Sequence, residues 1–183
     1  RSARGYVFFS ADIEFTNPST KRVIIPKYTE VQTSGQLSFI TTEQRVLEIG
    51  AVEIAAPVIQ GKMVSNIYTA SGQGDFEYFK IADLDMEDSY FDVTVNNVPY
   101  TKFVSIYGAA PGKLAFEVRK DNPTTTTFVF GSGRFGKKLA LGDTVKITYV
   151  QSSGAEGNVL YSGMISKISS QLYDNSGTFV QMY

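Results

Sequence analysis

The sequence has no cysteine, no histidine and no tryptophan. Without Cys and His it cannot build a zinc or haem site of the usual ligand types, a thiol nucleophile or a Ser-His-Asp arrangement. It also lacks a charge surplus: 17 Lys and Arg stand against 18 Asp and Glu, and the pI is near 5.5. Binding to nucleic acid or to an anionic membrane needs a clear basic excess, so neither is expected as a partner. No apolar run reaches the roughly 18 residues of a membrane span. The opening stretch Arg1 to Phe9 runs straight into patterned sequence and carries no export signal. Absence of Cys suits a reducing compartment, or a particle assembled inside a cell and later released. Neither end carries a boundary signal, so the chain reads as a piece of a longer polypeptide. At 183 residues it is one domain or two small ones, enough to bury about 70% of the surface its unfolded chain would expose.

What is present is alternation. Val7, Phe9, Ala11, Ile13 and Phe15 interleave with Phe8, Ser10, Asp12 and Glu14, which predicts a strand with one apolar face. The pattern returns at Leu114, Phe116 and Val118, at Val145, Ile147 and Tyr149, and at Phe91, Val93 and Val95. The Thr124 to Phe130 run is rich in β-branched and aromatic residues. Turn residues punctuate these runs at Asn17-Pro18-Ser19, Ser34-Gly35, Ser71 to Gly74, Asn96-Asn97, Pro111-Gly112 and Asp174 to Gly177. The expected fold class is all-β, mainly antiparallel, with two related β units and little helix. At most one helical turn is expected, over Ile81 to Ser89. An echo of spacing, Val52, Ile54 and Gly61 against Val145, Ile147 and Gly154, favours two units and is equally what chance reuse of these residues would produce. The break is placed near Ser71 to Gly74, with units at 1–71 and 72–183.

Three patterns could carry chemistry. Gly131 to Gly136 matches G-x-G-x-x-G after a strand-like run, but only the five residues Lys137 to Leu141 precede Gly142-Asp143, which leaves no room for the helix a dinucleotide site requires. Gly131, Gly133, Gly136 and Gly142 are therefore expected as structural glycines, at least one at positive φ, and no cofactor is assigned. Asp83, Asp85, Glu87 and Asp88 begin like a calcium loop, but Asp88 stands where Gly should be and Thr94 where the bidentate Glu should be. A solvated acidic loop is the simpler reading, and no metal is assigned. Paired carboxylates could serve a glycosidase, although their separation is not readable from sequence. The 13 Phe and 11 Tyr could line a core or a sugar-binding face. Phe9, Phe15, Phe116 and Tyr149 sit on apolar strand faces and read as core, whereas Tyr78, Tyr90, Tyr100 and Tyr107 have no clear place.

The near-zero net charge conceals two patches. From Asp75 to Asp92 seven acidic residues face one lysine, a local charge of −6; from Lys113 to Lys146 seven basic residues face three acidic ones, a local charge of +4. Either these are solvated faces, or they meet across subunits through Asp83, Asp85, Glu87, Asp88, Arg134, Lys137 and Lys138.

Several stretches together resemble the baseplate J-like family of contractile-tail phages, and within it the ring-forming wedge subunits of T4-like phages. Ile25-Pro26-Lys27-Tyr28-Thr29, then Phe39-Ile40-Thr41, is similar to the family's I-P-x-G-T … F-x-T, with Tyr28 in place of Gly. Asp92 to Asn96 followed by Tyr100-Thr101 is similar to its V-x-V-n … y. Phe130 to Gly136, Leu141-Gly142-Asp143, Ile147-Thr148-Tyr149 and Gly154 to Asn158 are similar to F-G-d-G-x-x-G … x-G-d … I-x-Y … G-x-x-G-N, with Ser132 in place of Asp. The resemblance runs in order from Ile25 to Asn158. It implies a virion protein assembled in the host cytoplasm. It implies no catalytic residues, pairing with copies of itself and with other wedge proteins, no small-molecule substrate, and rearrangement when the tail sheath contracts. The alternative from another class is a carbohydrate-binding β module of a phage fibre or secreted enzyme.

Overall fold

The computed structural model describes residues 2–10, 22–48, 51–154, 165–174, 179, 180 and 182. The chain is all-β: among the described residues strand accounts for 62% and helix for 3%, far below the helix content of an average domain. It divides into two compact units. One is formed by Arg1–Met63 together with Gln151–Tyr183, and the other by Val64–Val150. The second unit is thus an insertion within the first. A single break near residues 71–74 does not describe this division, because the chain leaves the first unit beside Gly61 and returns to it.

In the first unit β1 (Arg4–Ser10), β6 (Glu53–Gln60), β4 (Ser38–Thr41), β3 (Glu30–Thr33) and β14 (Ile165–Ile168) form one sheet in that order. A second sheet has the order β16 (Phe179–Val180), β15 (Leu172–Asp174), β2 (Arg22–Ile25), β5 (Arg45–Glu48). Its core gathers Phe9, Val23, Ile25, Val31, Phe39, Leu47, Val58 and Leu172. The alternation expected from Val7 onward holds through Ser10, with Phe9 buried and Phe8 exposed; Ala11, Ile13 and Phe15 lie outside the described residues. Gln60 ties the exit of the chain to its return. Its Oε1 accepts from the Ser152 hydroxyl and from the Ser153 N–H, both at 2.8 Å.

The inserted unit is one seven-stranded sheet that curls into a nearly closed barrel. Its order is β7 (Lys62–Thr69), β13 (Thr144–Gln151), β9 (Met86–Val95), β10 (Val98–Phe103), β11 (Ala115–Asn122), β12 (Thr125–Phe130), β8 (Tyr78–Ala82). The inward positions of these strands supply the core: Val93, Val95, Phe116, Phe128, Phe130, Val145, Ile147 and Tyr149. At the seam between β7 and β8, side chains take over from a backbone ladder. The Tyr68 ring stacks on Phe79 at 4.8 Å, and its hydroxyl donates to the Lys80 carbonyl at 3.3 Å.

Ile81 to Ser89 is not helical; it is the end of β8, a turn at 83–85 and the start of β9. Pairing on both flanks overrides the local preference of Ala, Leu and Met. A helical turn lies instead at Ile106–Gly108. It belongs to the connection between β10 and β11, which run parallel and so cannot be joined by a tight hairpin.

Candidate functional site

The glycine loop after β12 is held by its own backbone. Ser132 N–H donates to the Phe135 carbonyl at 3.0 Å, Gly133 N–H to Gly136 at 3.1 Å, Gly136 N–H to Ala109 at 3.1 Å and Lys137 N–H to Lys113 at 2.7 Å. Phe135 N–H donates to Ser132 Oγ at 3.3 Å, the bond an Asp at that position would also accept. Gly133 and Gly136 have φ of +93° and +68°, where a side chain is strained. Gly131 is fixed for another reason: a Cβ there would lie 2.4 Å from the Gly136 carbonyl carbon. A phosphate cradle works through unspent N–H groups at a helix start. Here those donors are consumed within the loop and by the neighbouring connection between β10 and β11, and the segment that follows leads to Gly142 and β13 with no helix.

Neighbouring loops are pinned in the same way. Gly142 has φ of +85°, and the next residue, Asp143, accepts from Ala140 N–H and from Asn96 Nδ2, at 2.8 and 2.7 Å. Asn96 and Asn97 both have positive φ and close a two-residue hairpin between β9 and β10, the geometry of a type I′ turn. The Glu77 carboxylate accepts from the N–H groups of Ser71 and Gly72, at 2.6 and 3.2 Å. Glu117, which alternates with the apolar Phe116 and Val118, is nevertheless buried. Its carboxylate accepts from Ile106 N–H at 2.8 Å and from Arg119 Nε at 2.6 Å. The Arg119 hydrogen bond holds its pKa below the usual carboxylate range, against the opposing effect of burial, and the Ile106 N–H adds to the lowering.

Beside these loops lies a cluster of three aromatic rings. Phe76 and Tyr107 are 5.2 Å apart, Tyr107 and Phe135 5.4 Å, and Phe76 and Phe135 6.5 Å and nearly parallel. Tyr107 is 58% exposed, and the Arg134 guanidinium lies 5.4 Å from the Phe135 ring centre. Phe76 has φ of +57°, a backbone state that is costly for an aromatic residue and persists only where its surroundings enforce it. Composition offered no signal for Phe76. Tyr107 had already stood out as a tyrosine without a strand face to sit on.

The charged residues expected at an interface divide. Asp88 pairs with Lys120 at 2.6 Å, and Lys138 approaches Asp75 at 3.8 Å, so the acidic and basic runs partly neutralise each other inside one unit. Asp83 accepts from the buried Tyr149 hydroxyl at 2.8 Å and from Asp85 N–H at 2.9 Å. Asp85, Arg134 and Lys137 remain exposed. Among the described residues no group of three or more acidic side chains is arranged to hold a metal ion. The sequence matches no protein-family model and no curated protein.

In the first unit the other motif is a hub on one carbonyl. Pro26 O accepts from Thr29 Oγ1 at 2.7 Å and from Thr41 Oγ1 at 2.8 Å, and Thr29 N–H donates to Thr41 Oγ1 at 2.9 Å. Tyr28, where the resembled pattern has glycine, has φ of +69°.

Proposed function

We propose that the chain is a non-catalytic structural subunit of a contractile phage-tail baseplate, which assembles with copies of itself and with other wedge proteins and rearranges on sheath contraction. One observation carries this reading: residues that make up the family resemblance do defined structural work, in both units. Thr29 and Thr41 bind the Pro26 carbonyl, Tyr28 takes the backbone state that its glycine counterpart would take freely, and Ser132 makes the bond of an Asp. Gly131, Gly133, Gly136 and Gly142 are each required by φ or by close approach. Such a set belongs to a scaffold that presents surfaces. The carboxylates of Glu77, Glu117 and Asp143 are spent on backbone N–H groups, which favours structure over acid-base chemistry.

The carbohydrate-binding alternative rests on the Phe76, Tyr107 and Phe135 rings. They pack on one another, and only Tyr107 among them is well exposed, which is a poor platform for stacking a sugar. Gold-labelled antibody against this chain is expected to mark the baseplate end of contractile-tailed particles in electron micrographs. Label along fibres, or on no particle, overturns the proposal.

A further inference from the structure

The inserted barrel has two unlike exposed features at opposite ends of one strand. The glycine loop, the 104–114 connection and the segment before β8 meet in the aromatic cluster, with Arg134 and Lys137 exposed in the same loop. After β8 comes the turn Asp83-Leu84-Asp85, in which Leu84 is 72% exposed. The five residues of β8 separate the two features by roughly 15 Å or more at about 3.3 Å per residue, so the turn does not reach the cluster of its own barrel.

The two features complement each other. The turn is a single apolar side chain flanked by carboxylates. The cluster is an aromatic pad with a basic margin, the composition that dominates binding energy at protein interfaces. Asp83 is committed to Tyr149, and Asp88, Lys120 and Lys138 are committed within the unit, which leaves Asp85 on one side and Arg134 and Lys137 on the other. The left-handed Phe76 is explained by the same reading, as backbone strain accepted to hold its ring against Tyr107 and Phe135.

We propose that the inserted unit docks head to tail on a second copy of itself: Leu84 of one copy seats on Tyr107 and Phe135 of the next, with Asp85 facing Arg134 and Lys137. Because the two surfaces differ, the contact is heterologous and extends into a ring or a filament rather than stopping at a two-fold dimer. This deepens the assembly reading and rests on it only in that copies must meet.

Sedimentation velocity on the full chain at low ionic strength tests it with two double variants. One carries Tyr107→Ser and Arg134→Glu, and the other Leu84→Ser and Asp85→Ser. The wild type is expected to form species larger than a dimer, weakened by salt. Each variant alone should associate about tenfold or more weakly. An equimolar mixture should give a one-to-one pair and nothing larger, since the first variant keeps its turn and the second keeps its pad. Unchanged circular dichroism and melting temperature establish that both variants fold; the single charge swaps Arg134→Glu and Asp85→Arg, weak alone and restored when mixed, serve if a double variant does not. A monomeric wild type, a variant that associates as the wild type does, or a mixture that gives no pair overturns the contact. The baseplate reading is judged separately by gold labelling, so either can fail while the other stands.

Discussion

The Tyr149 hydroxyl sits in the barrel core and donates to Asp83, and burial first, then the neighbouring carboxylate, pushes its pKa up to about 12. The unfolded value is near 10, so the folded chain keeps a proton that the unfolded chain gives up as pH rises. The stability this group contributes is therefore complete below about pH 10 and lost between roughly pH 10 and 12, a change of about 2 to 3 kcal/mol for a shift of this size. Urea titrations across that range should show the wild type losing more stability than Tyr149→Phe; equal slopes would refute the assignment. Glu117 has the opposite sign. Its lowered pKa makes its contribution present above the ordinary Glu range and lost as pH falls through the folded value. Glu117→Ala leaves the Ile106 N–H without its acceptor and should cost about 1 to 3 kcal/mol in chemical denaturation, with Glu117→Gln milder. Thr41→Val keeps shape but removes the hydroxyl that serves both Pro26 and Thr29, for a similar loss.

At the scale of elements, the turns were the most legible feature of the sequence. Asn96-Asn97 and Gly133, Gly136 and Gly142 could be placed because left-handed backbone is a local demand that few residue types meet. Gly131 needs its glycine for a contact five residues away, which no dihedral preference reveals. Gly131→Ala and Gly136→Val should each destabilise the barrel by about 1 kcal/mol or more, seen as a lowered melting temperature. A wild-type melting curve for both would show that the loop is not under these constraints. In the strand Met86–Val95 the period showed at Phe91, Val93 and Val95, but its first residues, Met86 to Ser89, were obscured by their charges and by helix formers. Its state is set by neighbours on two sides of the sheet, which sequence windows do not contain.

At the scale of the molecule, the insertion predicts two folding units. Each has its own core, so residues 64–150 expressed alone should give a β-type circular dichroism spectrum and a cooperative thermal transition. An unfolded fragment would mean that the barrel depends on the rest of the chain. The boundaries were hidden because they fall in strands rather than in a linker: β7 begins at Lys62 and β13 ends at Gln151, each within two residues of a boundary. The charge patches changed meaning at this scale too. The −6 and +4 runs share one unit and pair in part there, so the surface left for association is smaller than the sequence suggests.

The sequence by itself determined the all-β class, the wet and dry faces of β13 and of the second half of β9, and the glycine and asparagine turns. Each follows from a dihedral preference or a two-residue period, which acts over a few positions. Only the tertiary structure decided that a barrel is inserted into another unit, that Glu117 goes inside, and that Phe76, Tyr107 and Phe135 meet. These depend on partners far apart in the chain, as when Gln60 holds Ser152 across 92 positions. A hydrogen bond or ring contact is chosen by proximity after folding, and no local pattern of residues encodes which distant side chain will arrive.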